Sequence, residues 1–334
     1  MSMNNSGIII TLAYPETIVR VSDEWFIPFL RYFGIGTKDF VRAGHAAFVL
    51  INKSTGILEY HDFGRYIIPK PHGRVRNKIT DHELDFQINA EMVEGEIVNL
   101  NEILEFLATN PNLTHGEGKM VASVCDAIDY SKAKNYIVSL QEPYFIKYAV
   151  FKKNASNCSR FVTTTLIAST TDNRIKRKLI RSTRFTPSTV SNVVKSNTKH
   201  IVYEVSDKGV VSEFKSTVAK ENIKHFLDRL KGFSPNTIGN LKPKNVEGVC
   251  SKAQWLSGIG SGAWFELHPT NQNTKYRFRR VSPYGHVDVH DVFEVNESSF
   301  NYNENFNFLH HSNCNVLHIQ QNETIYKFER QGTD

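Results

Sequence analysis

The strongest constraint on the fold is a pair of apolar runs separated by three polar residues. The runs cover residues 44–52 and 56–63, and Lys53-Ser54-Thr55 between them has the length of a hairpin loop. This pattern predicts two antiparallel strands that are neighbours in one sheet. The first run carries His45 at its start, and the second carries His61 and Asp62 at its end.

Helix and strand patterns are mixed along the first half of the chain. Residues 8–14 predict a short buried strand, and residues 101–109 predict a helix. Residues 118–139 predict one helix that is interrupted near Tyr130. A further helix is predicted to begin at Cys158, because Phe161, Val162, Thr165, Leu166 and Ser169 then share one face. The predicted fold class is therefore α+β with an antiparallel sheet.

The domain prediction depends on a change of pattern after residue 185. The stretch 186–199 is polar and predicts a linker. Beyond it, short alternating runs are separated by turn residues, which is typical of an antiparallel sheet or barrel-like domain. We expect a catalytic domain over residues 1–185 and a β-rich accessory or recognition domain over residues 200–334.

Composition excludes several classes of protein. Hydrophobic residues make up 40% of the 334 residues and charged residues 22%, as in ordinary globular proteins. No apolar stretch approaches the roughly 20 residues of a membrane span, and the N-terminus lacks the basic region of a signal peptide. Neither a C-x-x-C pair nor a nucleic-acid-binding motif accompanies the net charge of +6. These features predict a cytoplasmic protein without a nucleic-acid partner, and the basic run 174–184 is interpreted as a solvated face or linker.

Cys158 has the surroundings of a nucleophile. Ser156 or Asn157 can cap the predicted helix, so the thiol lies in the first turn, where free N–H groups and the helix dipole lower its pKa. His45 can take the thiol proton. The N–H groups around Asn157 and Ser159 are candidate donors to an oxyanion.

A third group should orient the imidazole, and two neighbours are available for this role. Side chains alternate across a strand, so only one of His61 and Asp62 can share the face of His45. The face with Leu58, Tyr60 and Asp62 is the more apolar one and is expected to pack inward. Alternation therefore favours Asp62.

These segments together resemble a known superfamily. His45 in Gly44-His45-Ala46-Ala47, the hairpin ending in His61-Asp62, and the later Asn157-Cys158-x-x-Phe161-Val162 resemble the circularly permuted papain-like superfamily, which includes permuted NlpC-type hydrolases and lecithin retinol acyltransferase-like enzymes. The likeness spans residues 8–170, although Ser159-Arg160 stands where the acyltransferase branch usually has Glu-His. It implies a permuted papain-like fold, with Cys158 as nucleophile and His45 as base.

The same resemblance leaves the third residue open. In the acyltransferase branch that residue is often a histidine, and His61 falls near its place, against the alternation argument. The pattern Asp62-Phe63-Gly64-Arg65-Tyr66 and the later Trp264-Phe265-Glu266-Leu267 also resemble an uncharacterised bacterial family, which implies no activity.

Three further groups of residues are candidates for binding the oxyanion, the substrate or a metal. Tyr14 could lend its hydroxyl to the oxyanion, as a tyrosine does in some relatives of that superfamily. Arg65 and the basic residues after it could bind an acidic group of a substrate, although an exposed loop is the slightly favoured interpretation. His286, Asp288 and His290 share one face of a predicted strand, but no established metal motif surrounds them. We therefore predict no metal and no cofactor.

The resulting prediction is a cysteine-nucleophile hydrolase, amidase- or peptidase-like, that works through a thioacyl-enzyme intermediate. Its partner would be a peptide or another acyl-containing substrate. Two alternatives stay open: a thiol acyltransferase, and a non-catalytic binding protein whose β-rich domain carries recognition. The sequence predicts no oligomeric state.

Overall fold

The computed structural model describes residues 5–235 and 237–331. Its strands alternate with helices in the first two thirds and follow one another in the last third. In chain order the strands are β1 Gly7–Tyr14, β2 Val19–Arg20, β3 Phe40–Val41, β4 His45–Asn52, β5 Leu58–Gly64, β6 His72–Arg76, β7 Met92–Val93, β8 Glu96–Ile97, β9 Met120–Ile128, β10 Ile146–Lys147, β11 Tyr203–Val205, β12 Val211–Glu213, β13 Gln254–Gly258, β14 Ser261–Pro269, β15 Lys275–Val281, β16 Val287–Val295, β17 Asn307–Phe308, β18 Val316–Gln321 and β19 Thr324–Arg330.

The α-helices all lie between β8 and β13, whereas two short 3-10 helices come earlier in the chain. The α-helices are α1 Leu100–Thr109, α2 Pro111–Thr114, α3 Tyr130–Gln141, α4 Cys158–Ser169, α5 Asn173–Ser182, α6 Thr189–Ser196 and α7 Val218–Phe226, and the 3-10 helices cover Ile27–Phe33 and His82–Leu84. No helix in the described part of the chain is long and apolar enough to span a membrane.

The chain divides into two compact units, and each unit is built from two separate segments. The first consists of Met1–Gly64 and Phe86–Ser234, and the second of Arg65–Asp85 and Pro235–Asp334. Within the first unit, six strands form a sheet in the order β5-β4-β1-β9-β11-β12, with every neighbouring pair antiparallel. The central strand β1 is buried along its whole length. The expected mixture of helices with an antiparallel sheet is confirmed.

The hairpin predicted from the two apolar runs is confirmed. β4 and β5 pair antiparallel, with Ala47 opposite Asp62 and Ile51 opposite Leu58. Asn52 begins the turn by accepting backbone N–H bonds from Thr55 and Gly56. Gly56 has a φ of 69°, a conformation that glycine adopts without strain.

The single helix predicted over residues 118–139 is wrong. The segment contains the strand β9 followed by the helix α3, and the side chain of Asp129 caps α3 by accepting the N–H of Lys132 at 3.0 Å. β9 lies between β1 and β11, so most of its side chains are buried on both faces. A strand buried on both faces lacks the polar–apolar alternation by which strands are recognised.

The stretch 186–199, expected to be a linker, contains a packed helix. Ser188 caps α6, and Val190 and Val193 pack in a buried cluster with Ala13 and Val121. Polar side chains of α6 are also buried and find partners there. Ser196 Oγ, for example, donates to Thr11 Oγ1 at 2.9 Å. The following hairpin β11–β12 then joins the sheet of the first unit through β9. The first unit therefore continues beyond residue 185 to Ser234.

The second unit is β-rich, as predicted for the C-terminal part of the chain. Its sheet has the order β13-β14-β15-β16-β19-β18-β17, and its neighbours are antiparallel. Aromatic rings fill its core, namely Phe265, Phe278, Phe293, Phe300, Phe306, Phe308 and Phe328. Within the segment 65–85 the two carboxylate oxygens of Asp81 accept from Arg74 at 2.6 Å each. Arg280 of β15 lies 3.7 Å from the same carboxylate, which connects the segment to the rest of the unit.

Candidate active site

Cys158 is the first residue of α4. The helix begins there because Asn157 has an extended backbone and its Oδ1 accepts the N–H of Arg160 at 2.9 Å. The Asn157 amide also donates to the carbonyl of Ala149 at 3.2 Å. Cys158 is partly accessible to solvent, whereas Cys125 and Cys314 are buried. The thiol therefore lies at the positive end of a helix dipole.

Two charged side chains hold the segment that leads into α4. The guanidinium of Arg160 donates to the carbonyls of Val150, Lys152 and Ala155 at 2.6–2.8 Å. The carboxylate of Glu24 accepts the N–H groups of Val150 and Phe151 at 2.9 and 2.8 Å. An irregular segment is thereby fixed by charge-assisted bonds to its backbone.

His45 is the first residue of β4 and is buried. Gly44 before it has a φ of 75°, and a Cβ there would come within 3.0 Å of the Thr189 hydroxyl and 2.9 Å of the Tyr14 carbonyl. Glycine at position 44 therefore allows the positive φ and the close contacts with which the chain enters β4. Across the sheet His45 is paired with Tyr14, whose ring lies 6.4 Å from the imidazole between centroids.

Asp62 is the carboxylate beside His45. His45 Nε2 lies 3.2 Å from Asp62 Oδ2, and the Asp62 side chain is fully buried. The hydroxyl of Tyr60 lies 3.5 Å from the same oxygen and donates to the carbonyl of Thr114 at 3.1 Å. Because Asp62 pairs with Ala47, two residues beyond His45, the two side chains share one face of the sheet.

The electrostatics of the thiol and the imidazole favour an ion pair. Burial lowers the pKa of His45, but hydrogen bonds with Asp62 and with Cys158 raise it to about 9. Burial raises the pKa of the Cys158 thiol, but the hydrogen bond and charge of His45, with the N–H groups of Ala46 and Ser159, bring it below its ordinary value. Each group stabilises the charged form of the other.

His61 lies on the opposite face of β5 from Asp62. It is fully buried, it stacks on Phe48 with 5.2 Å between ring centroids, and neither ring nitrogen makes a hydrogen bond. Its Nε2 lies 3.7 Å from a carboxylate oxygen of Glu59. Burial lowers the pKa of His61, which keeps the ring neutral. Of the two candidates for a third residue, the structure brings Asp62 and not His61 to His45.

The residues predicted to bind the oxyanion or the substrate do not all lie at the thiol. The Tyr14 hydroxyl donates to the carbonyl of Leu107 at 3.2 Å. The Asn157 amide oxygen caps α4, and its nitrogen donates to the carbonyl of Ala149. Ser159 contributes its backbone N–H next to the sulfur. Arg65 begins the segment 65–85 and so belongs to the second unit.

Sequence reasoning did not find four contributors to this site. They are the N–H of Ala46, the hydroxyl of Tyr60, and the side chains of Glu24 and Arg160. Every residue except proline has a backbone N–H, so a residue pattern cannot identify the one that binds the sulfur. Tyr60 was identifiable, because it shares a strand face with Asp62. Glu24 and Arg160 bind backbone groups of an irregular loop, and no spacing rule predicts such bonds.

Two groups of residues in the second unit contain the side-chain types that bind metals. Asp288, between His286 and His290, accepts from Arg280 Nε at 2.8 Å, so it is already in an ion pair. Within the described residues, Cys250, Glu266 and His268 bring their ligand atoms within 4.8 Å of one another. The carboxylate of Glu266 already accepts the N–H of Cys250 at 2.8 Å and lies 3.2 Å from Arg279 Nε. A cation would have to compete with this guanidinium, so we assign no metal to the group.

The family model described as "Type VI secretion system effector TseH-like" matches residues 9–175, which is half of the chain. The chain belongs to the TseH-like type VI secretion system effector family. A second model, the DUF6695 C-terminal domain, matches residues 253–331.

One solved structure is similar to this TseH-like chain. It is the crystal structure of the type VI secretion system effector TseH, which is 19% identical. The similarity covers 64% of this chain and 100% of that chain, with a TM-score of 0.44. Comparison with curated proteins gives no match. The resemblance to the wider permuted papain-like superfamily stays a prediction.

Proposed function

We propose that this TseH-like effector is a thiol hydrolase with Cys158 as nucleophile, His45 as base and Asp62 as the residue that orients His45. The observation that carries the proposal is the position of the His45 imidazole, which lies 3.2 Å from the buried Asp62 carboxylate and is close enough to the Cys158 thiol for the two groups to shift each other's pKa. A thiolate at a helix N-terminus with an imidazolium beside it is an activated nucleophile.

The proposed reaction splits an amide or ester in two steps. Cys158 Sγ gives its proton to His45 and attacks the carbonyl carbon, and the N–H groups at the start of α4 donate to the oxyanion. The carbon–nitrogen or carbon–oxygen bond then breaks, and His45 returns the proton to the leaving group. Water attacks the thioester while His45 takes its proton, which releases a carboxylic acid and restores the thiol.

The order of these residues along the chain supports a permuted papain-like architecture. The strand with His45 and the strand with Asp62 both precede the helix that begins at Cys158. A peptide or cell-wall-like amide is the proposed substrate class. We also propose delivery by type VI secretion, from the family to which the chain belongs. That route would replace the cytoplasmic location expected from the sequence.

Thiol labelling tests the proposal before any substrate is known. An ordinary thiol with a pKa near 8.5 is only about 0.3% thiolate at pH 6. Cys158 should therefore react with iodoacetamide at pH 6 at least about tenfold faster than Cys250, a partly exposed cysteine of the same chain. Peptide mass spectrometry separates the two sites, and Cys158→Ser gives the background.

The matched variant is His45→Ala, which should bring labelling of Cys158 at pH 6 down to the rate of Cys250. Substrate profiling of the wild type against Cys158→Ser then identifies the amide or ester cleaved. Equal labelling of Cys158 and Cys250 in the wild type, with no effect of His45→Ala, would contradict the thiolate mechanism and favour a non-catalytic binding protein.

A further inference from the structure

Six aromatic residues of the first unit form a continuous chain of rings at its surface, and an exposed seventh, Phe33, directly follows Tyr32 in the sequence. Neighbouring centroids are 5.2 Å apart for Phe185 and Phe151, 5.5 Å for Phe151 and Phe26, and 5.7 Å for Phe26 and Trp25. The chain continues from Trp25 through Phe29 to Tyr32 at 6.4 and 6.5 Å. We call this set the aromatic ridge; it consists of Trp25, Phe26, Phe29, Tyr32, Phe33, Phe151 and Phe185.

Most of the aromatic ridge faces solvent. Trp25 is 82% exposed, Phe33 76% and Phe185 71%, and Phe29 and Tyr32 are also more than half exposed. Single exposed aromatic residues are common on soluble proteins, but a contiguous group of them marks an interaction surface. Glu24 connects two segments of the group, because its carboxylate accepts the N–H groups of Val150 and Phe151.

A strongly basic helix leads into one end of the ridge. α5 and the residues after it contain six cations and no acid between Arg174 and Phe185. Ile175 and Leu179 bury the inner face of α5, and Ile180 is exposed among the cations. None of the six cations forms an ion pair with a carboxylate among residues 5–235 and 237–331. They are Arg174, Lys176, Arg177, Lys178, Arg181 and Arg184.

We propose that the aromatic ridge and α5 together dock on the surface of a membrane rich in anionic phospholipid. Tryptophan, tyrosine and phenylalanine insert at the boundary between headgroups and acyl chains, and unpaired lysine and arginine attract the anionic headgroups. The cations of α5 favour an anionic membrane over a protein as the partner of this surface. Anionic headgroups complement these cations, whereas charged residues are depleted from the centres of protein–protein interfaces. The ridge segment also carries one exposed carboxylate, Asp23, and one exposed cation, Arg31. This inference does not depend on the thiol chemistry.

Vesicle co-sedimentation of the full chain tests the proposal. We expect binding to vesicles of phosphatidylglycerol and phosphatidylethanolamine, little binding to phosphatidylcholine alone, and weaker binding at high salt. Arg177→Glu with Arg181→Glu should weaken binding at least about tenfold, since each cation near an anionic surface contributes roughly a factor of five. The matched control is Lys208→Glu with Lys215→Glu, which reverses two exposed charges outside α5.

Fluorescence tests the aromatic part separately. Anionic vesicles should shift the emission of the wild type to the blue, and Trp25→Phe should lose most of that shift, because Trp255 and Trp264 belong to the second unit. Phe33→Ser with Phe185→Ser should weaken binding, whereas Tyr284→Ser, an equally exposed aromatic of the second unit, should not. Absence of vesicle binding, equal binding to uncharged vesicles, or equal losses in the control variants would each overturn the proposal.

Discussion

At the residue scale, His45 connects groups that belong to opposite faces of the sheet. Its cross-strand neighbour Tyr14 and the carboxylate of Asp62 lie on one face. Phe161 of α4 contacts Phe48, which is on the other face. His45 is the first residue of β4, so it lies at the end of the strand, where its imidazole is beside the Asp62 carboxylate and interacts with the thiol carried by α4.

Replacing the carboxylate separates the two candidates for the third residue. Asp62→Asn removes the charge that raises the pKa of His45, so the imidazolium and the thiolate both become less favourable. We expect iodoacetamide labelling of Cys158 at pH 6 to fall at least about tenfold. His61→Phe is the control; it should leave labelling unchanged, because His61 makes no hydrogen bond and stacks on Phe48. A loss of labelling in His61→Phe alone would favour the histidine.

The pH dependence of His45 gives a second test. Its pKa in the folded protein is raised to about 9, above the ordinary 6.5. Stability contributed by the protonated ring is therefore fully present below pH 6.5 and is lost as the pH rises through about 9. A histidine NMR titration should find one ring with a pKa near 9 in the wild type and a lower value in Asp62→Asn. An unshifted ring in both proteins would contradict the ion pair.

At the element scale, the position of α4 depends on backbone bonds to the loop before it. The helix also contains many buried hydroxyl groups, and these donate to carbonyls one turn earlier, as Thr163 Oγ1 does to Ser159 at 2.8 Å. Thr163 Oγ1 in addition lies 2.6 Å from the amide oxygen of Asn192 in α6. A polar helix can thus be buried because the hydroxyls of Thr163, Thr165 and Ser169 each have a nearby acceptor.

The Arg160 guanidinium is expected to position the thiol without touching it. Arg160→Lys keeps the charge, but an ammonium group cannot reach three carbonyls in the planar geometry of a guanidinium. We expect the free energy of unfolding to fall by about 1–3 kcal/mol and labelling of Cys158 at pH 6 to slow. Arg177→Lys on the exposed side of α5 is the matched control. Urea unfolding and the labelling rate are the measurements, and equal effects of the two variants would contradict the positioning role.

The sequence predicted those elements whose pattern is local. The hairpin β4–β5 and the start of α4 follow from turn length, apolar spacing and a capping asparagine. β9 and α6 were missed for opposite reasons. β9 is buried on both faces and shows no alternation, whereas α6 is polar in sequence but finds buried partners on distant strands. The choice of Asp62 over His61 as the neighbour of His45 followed from strand alternation, which is a property of the backbone.

At the scale of the whole molecule, the second unit is assembled from segments that are distant in sequence. Asp81 is buried and accepts two bonds from Arg74, and Arg280 lies 3.7 Å from it. Residues 65–85 contain two prolines and five lysines or arginines, a composition that resembles that of a surface loop. Their partners, such as Arg280, follow only after a long intervening stretch, so a local pattern could not identify the segment as part of the C-terminal unit.

Removal of the Asp81 charge should destabilise the second unit. The neighbouring arginines hold the pKa of this carboxyl well below its usual range despite its burial. Asp81→Asn leaves Arg74 without its carboxylate, at an expected cost of about 3 kcal/mol at pH 7. Arg280 keeps its ion pair with Asp288. Urea unfolding followed through Trp255 and Trp264 measures this cost, and Glu297→Gln, an exposed site, is the control.

The same variant makes a prediction about acid. A carboxyl with a depressed pKa contributes stability above its unfolded pKa near 3.9, and this contribution is lost as the pH falls below that value. The difference between wild type and Asp81→Asn should therefore be constant from pH 7 to about pH 5 and shrink progressively below pH 4. A difference that persists unchanged at pH 2 would show that Asp81 acts through shape and not through charge.

The divided second unit has a consequence for biosynthesis. Residues 65–85 leave the ribosome before residues 86–234, and their partners emerge only after that stretch. At 5–20 residues per second this delay is roughly 7–30 seconds. During that interval the buried arginines and Asp81 have no completed core, so the unit becomes native only after the strands that follow residue 234 have been made. The nascent chain therefore passes through a period in which one of its units is necessarily unfinished, while most of the other has already been made.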